Sequence, residues 1–251
     1  MVNKKFTLLA VMLLTLGVSS YAQTTFAWDW KDSSVVPAKS MTQYEEFMQN
    51  KNPFPPKPRN TWEISGAPGL SLITGDSRLG EGLGGSLSIR KALGNVISYR
   101  LGYFGSIVTG KGSYTTPDFK NISHNLSIEF IVSLNTFSSY RGDPTSNLYA
   151  FGGAGYTISG TQDKSSDGNY HYTHPTKKFT VASIGHQRIF STVSFGLGYA
   201  YKINKKFNLG IEERFMSPVQ NVNYVTGADL GNGTKNLYLA TLIKFNYNLF
   251  N

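Results

Sequence analysis

The sequence predicts an all-β protein, an eight-stranded antiparallel up-and-down β-barrel whose apolar face is on the outside. Three observations predict it. In "FGLGYAYKI" (195–203) the residues Phe195, Leu197, Tyr199, Tyr201 and Ile203 occupy every second position, with Gly196, Gly198, Ala200 and Lys202 between them. Successive side chains of a strand point to opposite faces, so this run is a strand with one apolar and one small or polar face, whereas a helix would need apolar residues three and four apart. The composition agrees: 26 glycines, 15 tyrosines and 16 phenylalanines in 251 residues, with only 16% charged. A mean hydropathy of -0.23 argues against a helical membrane bundle. Finally, charges within the alternating segments fall in phase with the small residues and out of phase with the aromatics.

Taken in order, residues 1–22 read as a secretory signal peptide. Lys4 and Lys5 are its basic start, "FTLLAVMLLTLGV" its apolar core, and Ser20 and Ala22 the small residues before a cut ahead of Gln23. The core is short of the roughly 20 residues a spanning helix needs, and no cysteine is present for acylation or for disulfides. The formal net charge is +9, of which Lys4 and Lys5 lie in the leader. For an exported chain that surplus points to anionic lipid head groups or glycans and away from nucleic acid.

Residues 23–60 differ in kind. They hold a short helical stretch around "MTQYEEFMQ" and a proline cluster, Pro53, Pro55, Pro56 and Pro58, which cannot donate to a sheet. This is expected to be an N-terminal periplasmic arm. It is either a linker or a segment that docks on a partner or on the barrel's lower rim through Trp28, Trp30 and Phe54.

The barrel domain is assigned to 61–251. Eight alternating segments are expected at about 61–73, 83–93, 95–108, 122–134, 147–158, 191–203, 207–216 and 236–249. Connections after the second and sixth are short ("GN", "NKK"), and the one after the fourth is longer. Those after the first, third, fifth and seventh are longer and polar, with about thirty residues between Ile158 and Ser191. Short turns at one end and long loops at the other suit a barrel closed in an outer membrane.

The face assignment carries the transmembrane reading. Outward lie residues such as Trp62, Ile64, Leu87, Tyr103, Ile128, Phe130, Phe207, Leu209, Ile243 and Phe245. The other phase holds Glu63, Arg90, Arg100, Glu129, Lys202, Glu212, Arg214 and Lys244 among Gly, Ser, Ala and Asn. A soluble barrel would put the aromatics inside, and an eight-stranded barrel has no room for so many. The lumen is therefore expected to be narrow, polar and plugged by ion pairs with a cationic excess, because buried charge is tolerated only when paired. Glu213 breaks the pattern. It follows Glu212 directly and so faces lipid, which requires a bulge, a position near the rim or a covering partner.

Four stretches carry a resemblance: "FPPKPRNTWEISGAPGLSLITGD", "YAFGGAGYT", "GLGYAYKINKKFNLGIEERF" and the aromatic-ended "LIKFNYNLF". Over roughly residues 53–250 the chain resembles the small OmpA/OmpX-type outer-membrane barrels, and specifically the N-terminal barrel of OmpA-family proteins from Bacteroidetes. The resemblance implies integral residence in the outer membrane of a Gram-negative bacterium, contact with lipid and lipopolysaccharide, and insertion by the barrel-assembly machinery, which reads such a C-terminal strand. Longer members continue into a periplasmic domain that binds peptidoglycan. This sequence ends at Asn251, so direct peptidoglycan binding is not expected.

Some eight-stranded barrels modify lipid A, so the resemblance also raises catalytic chemistry. His124 follows Ser123 but has no carboxylate partner in view. His171 and His174 in "YHYTHP" lack a third metal ligand at fixed spacing. "GLGG" (82–85) and "FGGAG" (151–155) lie in strands, without the strand-to-helix context of a nucleotide loop. No enzyme, cofactor or metal is expected. The loop "SGTQDKSSDGNYHYTHPTKKF" is the candidate surface for recognition. The expected role is structural or interactive, as part of a larger outer-membrane complex, with a low-conductance, anion-preferring channel lined by Arg90, Arg100, Lys202, Arg214 and Lys244 as the alternative.

Overall fold

The computed structural model describes residues 33–56, 62–74, 79–94, 96–111, 117–135, 145–172, 182–184, 187–204, 206–219 and 237–249. The leader 1–22, Trp28, Trp30 and His174 lie outside these residues.

Eight long strands make the wall: β1 (Trp62–Thr74), β2 (Gly80–Ala92), β3 (Ile97–Gly110), β4 (Phe119–Ser133), β5 (Ser146–Lys164), β8 (Gln187–Lys202), β9 (Phe207–Pro218) and β10 (Leu237–Asn248). Two short strands, β6 (Tyr170–Tyr172) and β7 (Ala182–Ile184), sit in the connection between β5 and β8. Each wall strand pairs antiparallel with the next, β5 pairs with β8, and β10 returns to β1. The sheet is closed, so the wall has no free edge and its backbone groups are satisfied within it.

Every wall strand runs 12 residues or more, longer than the roughly 9–11 that cross a bilayer. The expected segments match these strands, with the largest difference on the long-loop side. There β5 continues to Lys164 and β8 begins at Gln187, so the stretch read as one polar loop is partly a sheet extension. Gln162 pairs with Tyr172 and Ser183 with Arg188. Its alternation was hidden because both faces of "SGTQDK" are polar or small there. At the other end the turns are tight: Leu93 N–H donates to Ile97 O at 3.0 Å, and Ile203 N–H to Phe207 O at 3.0 Å.

The two faces separate by solvent. Leu83 is 70% exposed, Leu87 63%, Phe130 58% and Phe245 55%, and apolar side chains protrude from all eight wall strands. Monomeric soluble proteins rarely expose a contiguous apolar surface of this extent. The alternate positions are buried.

Residues 33–56 fold at the short-turn end. After two short 3-10 turns (33–35 and 38–40) comes helix α1 (Met41–Met48). Asn50 takes a left-handed φ of 59°, a conformation that Asn tolerates better than most residues. Lys51 and Asn52 N–H then donate back to Glu46 O at 2.8 and 3.3 Å. The turn returns Phe54 to the helix, where Gln43 Nε2 donates to its carbonyl at 3.5 Å. Phe47 packs with Phe54 against Ala92 of β2.

Candidate functional site

The chemistry-bearing side chains meet inside the barrel in layers. At mid-height Arg100 (β3), Glu129 (β4), Glu212 and Arg214 (β9) and Lys244 (β10) converge, all with side chains 4% exposed or less. Arg100 donates from Nε to Glu129 Oε2 at 2.7 Å, and from Nη1 and Nη2 to Glu212 at 2.7 and 3.2 Å. Arg214 reaches Glu129 through two nitrogens at 2.5 and 3.2 Å, and Glu212 at 3.2 Å. Lys244 Nζ donates to Glu212 Oε2 at 3.2 Å. The planar guanidinium fork matches a carboxylate's two oxygens, so both arginines can bridge both acids. Ser127 and Ser194 hydroxyls donate to Glu129 Oε1 at 3.1 and 3.0 Å, and Tyr149 OH to Glu212 Oε2 at 2.9 Å. Two carboxylates face three cations, which leaves the cluster with one positive charge in surplus.

Two aromatics from β5 complete it. The Phe151 ring lies 4.7 Å from Arg100 Cζ and 5.1 Å from Arg214 Cζ, within reach of cation–π attraction. Sequence reasoning missed Tyr149 and Phe151 because it assigned no faces to the fifth strand. The available signal was their spacing in "NLYAFGG", in phase with Asn147 and Gly153. Their rings also explain the small residues of β8: a Cβ on Gly196 would strike the Phe151 ring, and one on Gly198 the Tyr149 ring. Gly198→Val is expected to destabilise the barrel by about 1–3 kcal/mol through overpacking. A lower denaturation midpoint in detergent would show it.

Toward the short turns a second pair stands apart. Arg90 Nη1 donates to Glu63 Oε1 at 3.2 Å and Nη2 to Ser98 Oγ at 3.2 Å. Ser65 and Ser88 hydroxyls share a 2.6 Å bond, and Ser133 Oγ donates to Asn147 Oδ1 at 2.5 Å. Lys202 shares the lumenal phase but sits at the end of β8, half-buried and paired across to Asn208, four residues from Gly198, which faces Glu212.

Toward the long connections the lumen adds an apolar cluster to buried polar side chains such as Asn121, which donates to Ser159 and Thr161, and Asn125, which donates to Thr157 and Thr192. Ile73, Phe104, Val108, Phe119, Phe190, Met216, Tyr238 and Leu242 form one cluster, each 2% exposed or less. Phe104 and Tyr238 stack edge to face at 5.9 Å, and Tyr238 OH bonds to Ser106. The upper lumen is thus filled like a protein core.

Glu213 occupies the outer face of β9. Pairing is continuous on both sides, Leu197 with Glu213 and Glu213 with Thr241, so the expected bulge is absent. Thr241 Oγ1 donates to Glu213 Oε2 at 2.6 Å. Seven residues into β9 and half-buried, Glu213 stands mid-wall rather than at the rim. Phe54 is placed against Phe47 and Ala92.

The histidines make no catalytic or metal centre among the described residues. His124 faces outward, with Tyr103 OH and its Nδ1 2.7 Å apart. His171 Nε2 lies 3.2 Å from Asp167 Oδ2 in the exposed β5–β6 turn. The Asn169 backbone N–H and then His171 hold the Asp167 carboxyl below its ordinary pKa. No group of three or more His, Cys, Asp or Glu that could hold a metal occurs among the described residues.

A scan against protein-family models finds no match, and neither does a search of curated proteins. Solved structures with similar coordinates include Neisserial surface protein A, at 10% identity over 75% of this chain and 97% of that chain, with a TM-score of 0.44. Ail, the attachment invasion locus protein of Yersinia pestis, follows at 13% identity over 74% and 96%, TM-score 0.43. The N-terminal β-barrel domain of Pseudomonas aeruginosa OprF gives 13% identity over 74% and 98%, TM-score 0.36.

Proposed function

We propose that the chain is an integral outer-membrane barrel of a Gram-negative bacterium, without catalytic activity, that serves the envelope as a structural subunit of a larger outer-membrane complex. One observation carries the membrane reading: a closed wall exposes Leu, Ile, Phe and Tyr around its whole girth while the central acids and bases pair inside. Only a solvent that is itself apolar makes that arrangement stable. Lipid and lipopolysaccharide surround the belt, and the aromatic C-terminal strand is what the assembly machinery engages. The purified protein is expected to be β-rich in detergent, and its unboiled form to migrate apart from its boiled form on a denaturing gel. A helical spectrum or identical mobilities would refute it.

The complex reading rests on Glu213, a carboxylate in the middle of an apolar wall. A protein neighbour that hydrogen-bonds it removes the penalty of lipid exposure. Extraction from native membranes in mild detergent, followed by sizing and mass spectrometry, is expected to give a stable assembly that Glu213→Leu disperses. A lone barrel would refute this part.

The cationic surplus of the central cluster favours a second reading, a low-conductance anion-preferring channel. Planar-bilayer recording separates the two. The buried central cluster and the packed side chains above it predict electrical silence, whereas currents that change on Arg100→Gln would establish the channel.

A further inference from the structure

The barrel carries a cover at its short-turn mouth. Ala92, the last residue of β2, faces the lumen: it is in phase with Arg90 and pairs with Ser98, which is fully buried. Phe47 packs on Ala92, with Phe54 beside it, and the two residues of that contact are only 9% and 3% exposed. The segment bearing Phe47 is built as a unit. Asn50 reverses the chain after α1, Gln43 ties Phe54 to the helix, and Val36, Pro55 and Pro56 are buried. Its outer side, with Glu45, Glu46 and Met48, is exposed.

Behind this cover lies the polar layer of Glu63, Arg90, Ser98, Ser133 and Asn246. Glu63 Oε2, Ser146 Oγ and Asn246 Oδ1 are buried there and have no hydrogen-bond partner among the described residues. Buried oxygens of this kind are satisfied by water. Farther in, the central ion cluster and then the apolar cluster of Phe104, Phe119, Phe190 and Tyr238 fill the barrel. Among the described residues, the central ion cluster bounds this layer on its inner side, and Phe47 lies against Ala92 at its short-turn side.

We propose that residues 33–56 are a lid on a hydrated, dead-end vestibule that opens only at the short-turn mouth and admits water and small polar solutes when Phe47 leaves Ala92. This holds whether or not the barrel has a protein partner. The lid keeps the Glu63–Arg90 pair from bulk solvent.

The absence of cysteine makes the test direct in the full chain, refolded in detergent and checked by its unboiled mobility. The probe is a small, charged, water-soluble methanethiosulfonate. Ser133→Cys, at the inner end of β4, is expected to react slowly. Adding Phe47→Asp should accelerate it by roughly tenfold or more, because the apolar burial that holds the lid closed is lost. Ser71→Cys, buried near the far end of β1, should stay unreactive in both backgrounds. Equal rates at position 133 with and without Phe47→Asp would overturn the lid, and rapid labelling at position 71 would overturn the dead end. Should Phe47→Asp fail to fold, Phe47→Cys with Ala92→Cys decides independently: a disulfide is expected, and two free thiols under oxidising conditions would place the segment elsewhere.

Discussion

Glu212→Leu is expected to destabilise the barrel by about 3–5 kcal/mol, the effect of stripping one partner from a buried ion pair. Glu212 accepts from Arg100 through both oxygens, from Arg214, from Lys244 and from Tyr149, and is fully buried. Leucine of similar size leaves three cations with Glu129 as their only carboxylate within the cluster. The loss should appear as a lower urea midpoint for unfolding from detergent or vesicles. Glu212→Gln should lose less, because its amide oxygen still accepts. Adding Lys244→Met to Glu212→Leu should recover part of the loss, with a coupling of about 0.5–3 kcal/mol for neighbours in one network. A loss under about 1 kcal/mol for Glu212→Leu would mean that water reaches the cluster and screens it as at a surface.

That cluster was partly legible before any coordinates, and the reason is geometric. A strand has a period of two, so Arg100, Glu129, Glu212, Arg214 and Lys244 declare their face by phase alone. Closure of only eight strands then forces charges on that face together. What phase cannot give is height. Lys202 shares the phase of Gly198 but stands at the rim, because depth depends on the register between strands. The apolar cluster of the upper lumen was hidden for a related reason: in "YFGSIV" (103–108) both phases carry apolar side chains, and alternation is silent where both faces are apolar. Tyr149 and Phe151 were missed because no faces were assigned to the fifth strand, and large rings in a lumenal phase run against the rule that small residues line a narrow barrel. The register shows that Gly196 and Gly198 make room for them. The same limit applied to Glu213, since only continuous pairing to Leu197 and Thr241 could remove the bulge.

Ile128→Arg is expected to destabilise the barrel by about 2–4 kcal/mol in a bilayer, the penalty for a charge on a lipid-facing wall near mid-depth. Ile128 is 58% exposed on the outer face of β4, flanked by Leu126 and Phe130 and paired with Leu101 and Ala154. In water the same substitution would remove an exposed apolar group and leave stability within about 0.5 kcal/mol, as for an ordinary surface change. The sign and size of the effect thus report which solvent the wall was built for. A graded series strengthens the inference, because the penalty falls to about 0–1 kcal/mol near the interfaces. Arginine at Leu134, beside the short turns, should therefore be tolerated far better than arginine at Ile128, although both sites expose a large apolar residue. Equal and small effects at the two sites would return the aromatics to a water-facing surface and remove the basis for the membrane reading. A steep dependence on height would fix the belt along β4 and place Glu213 within it.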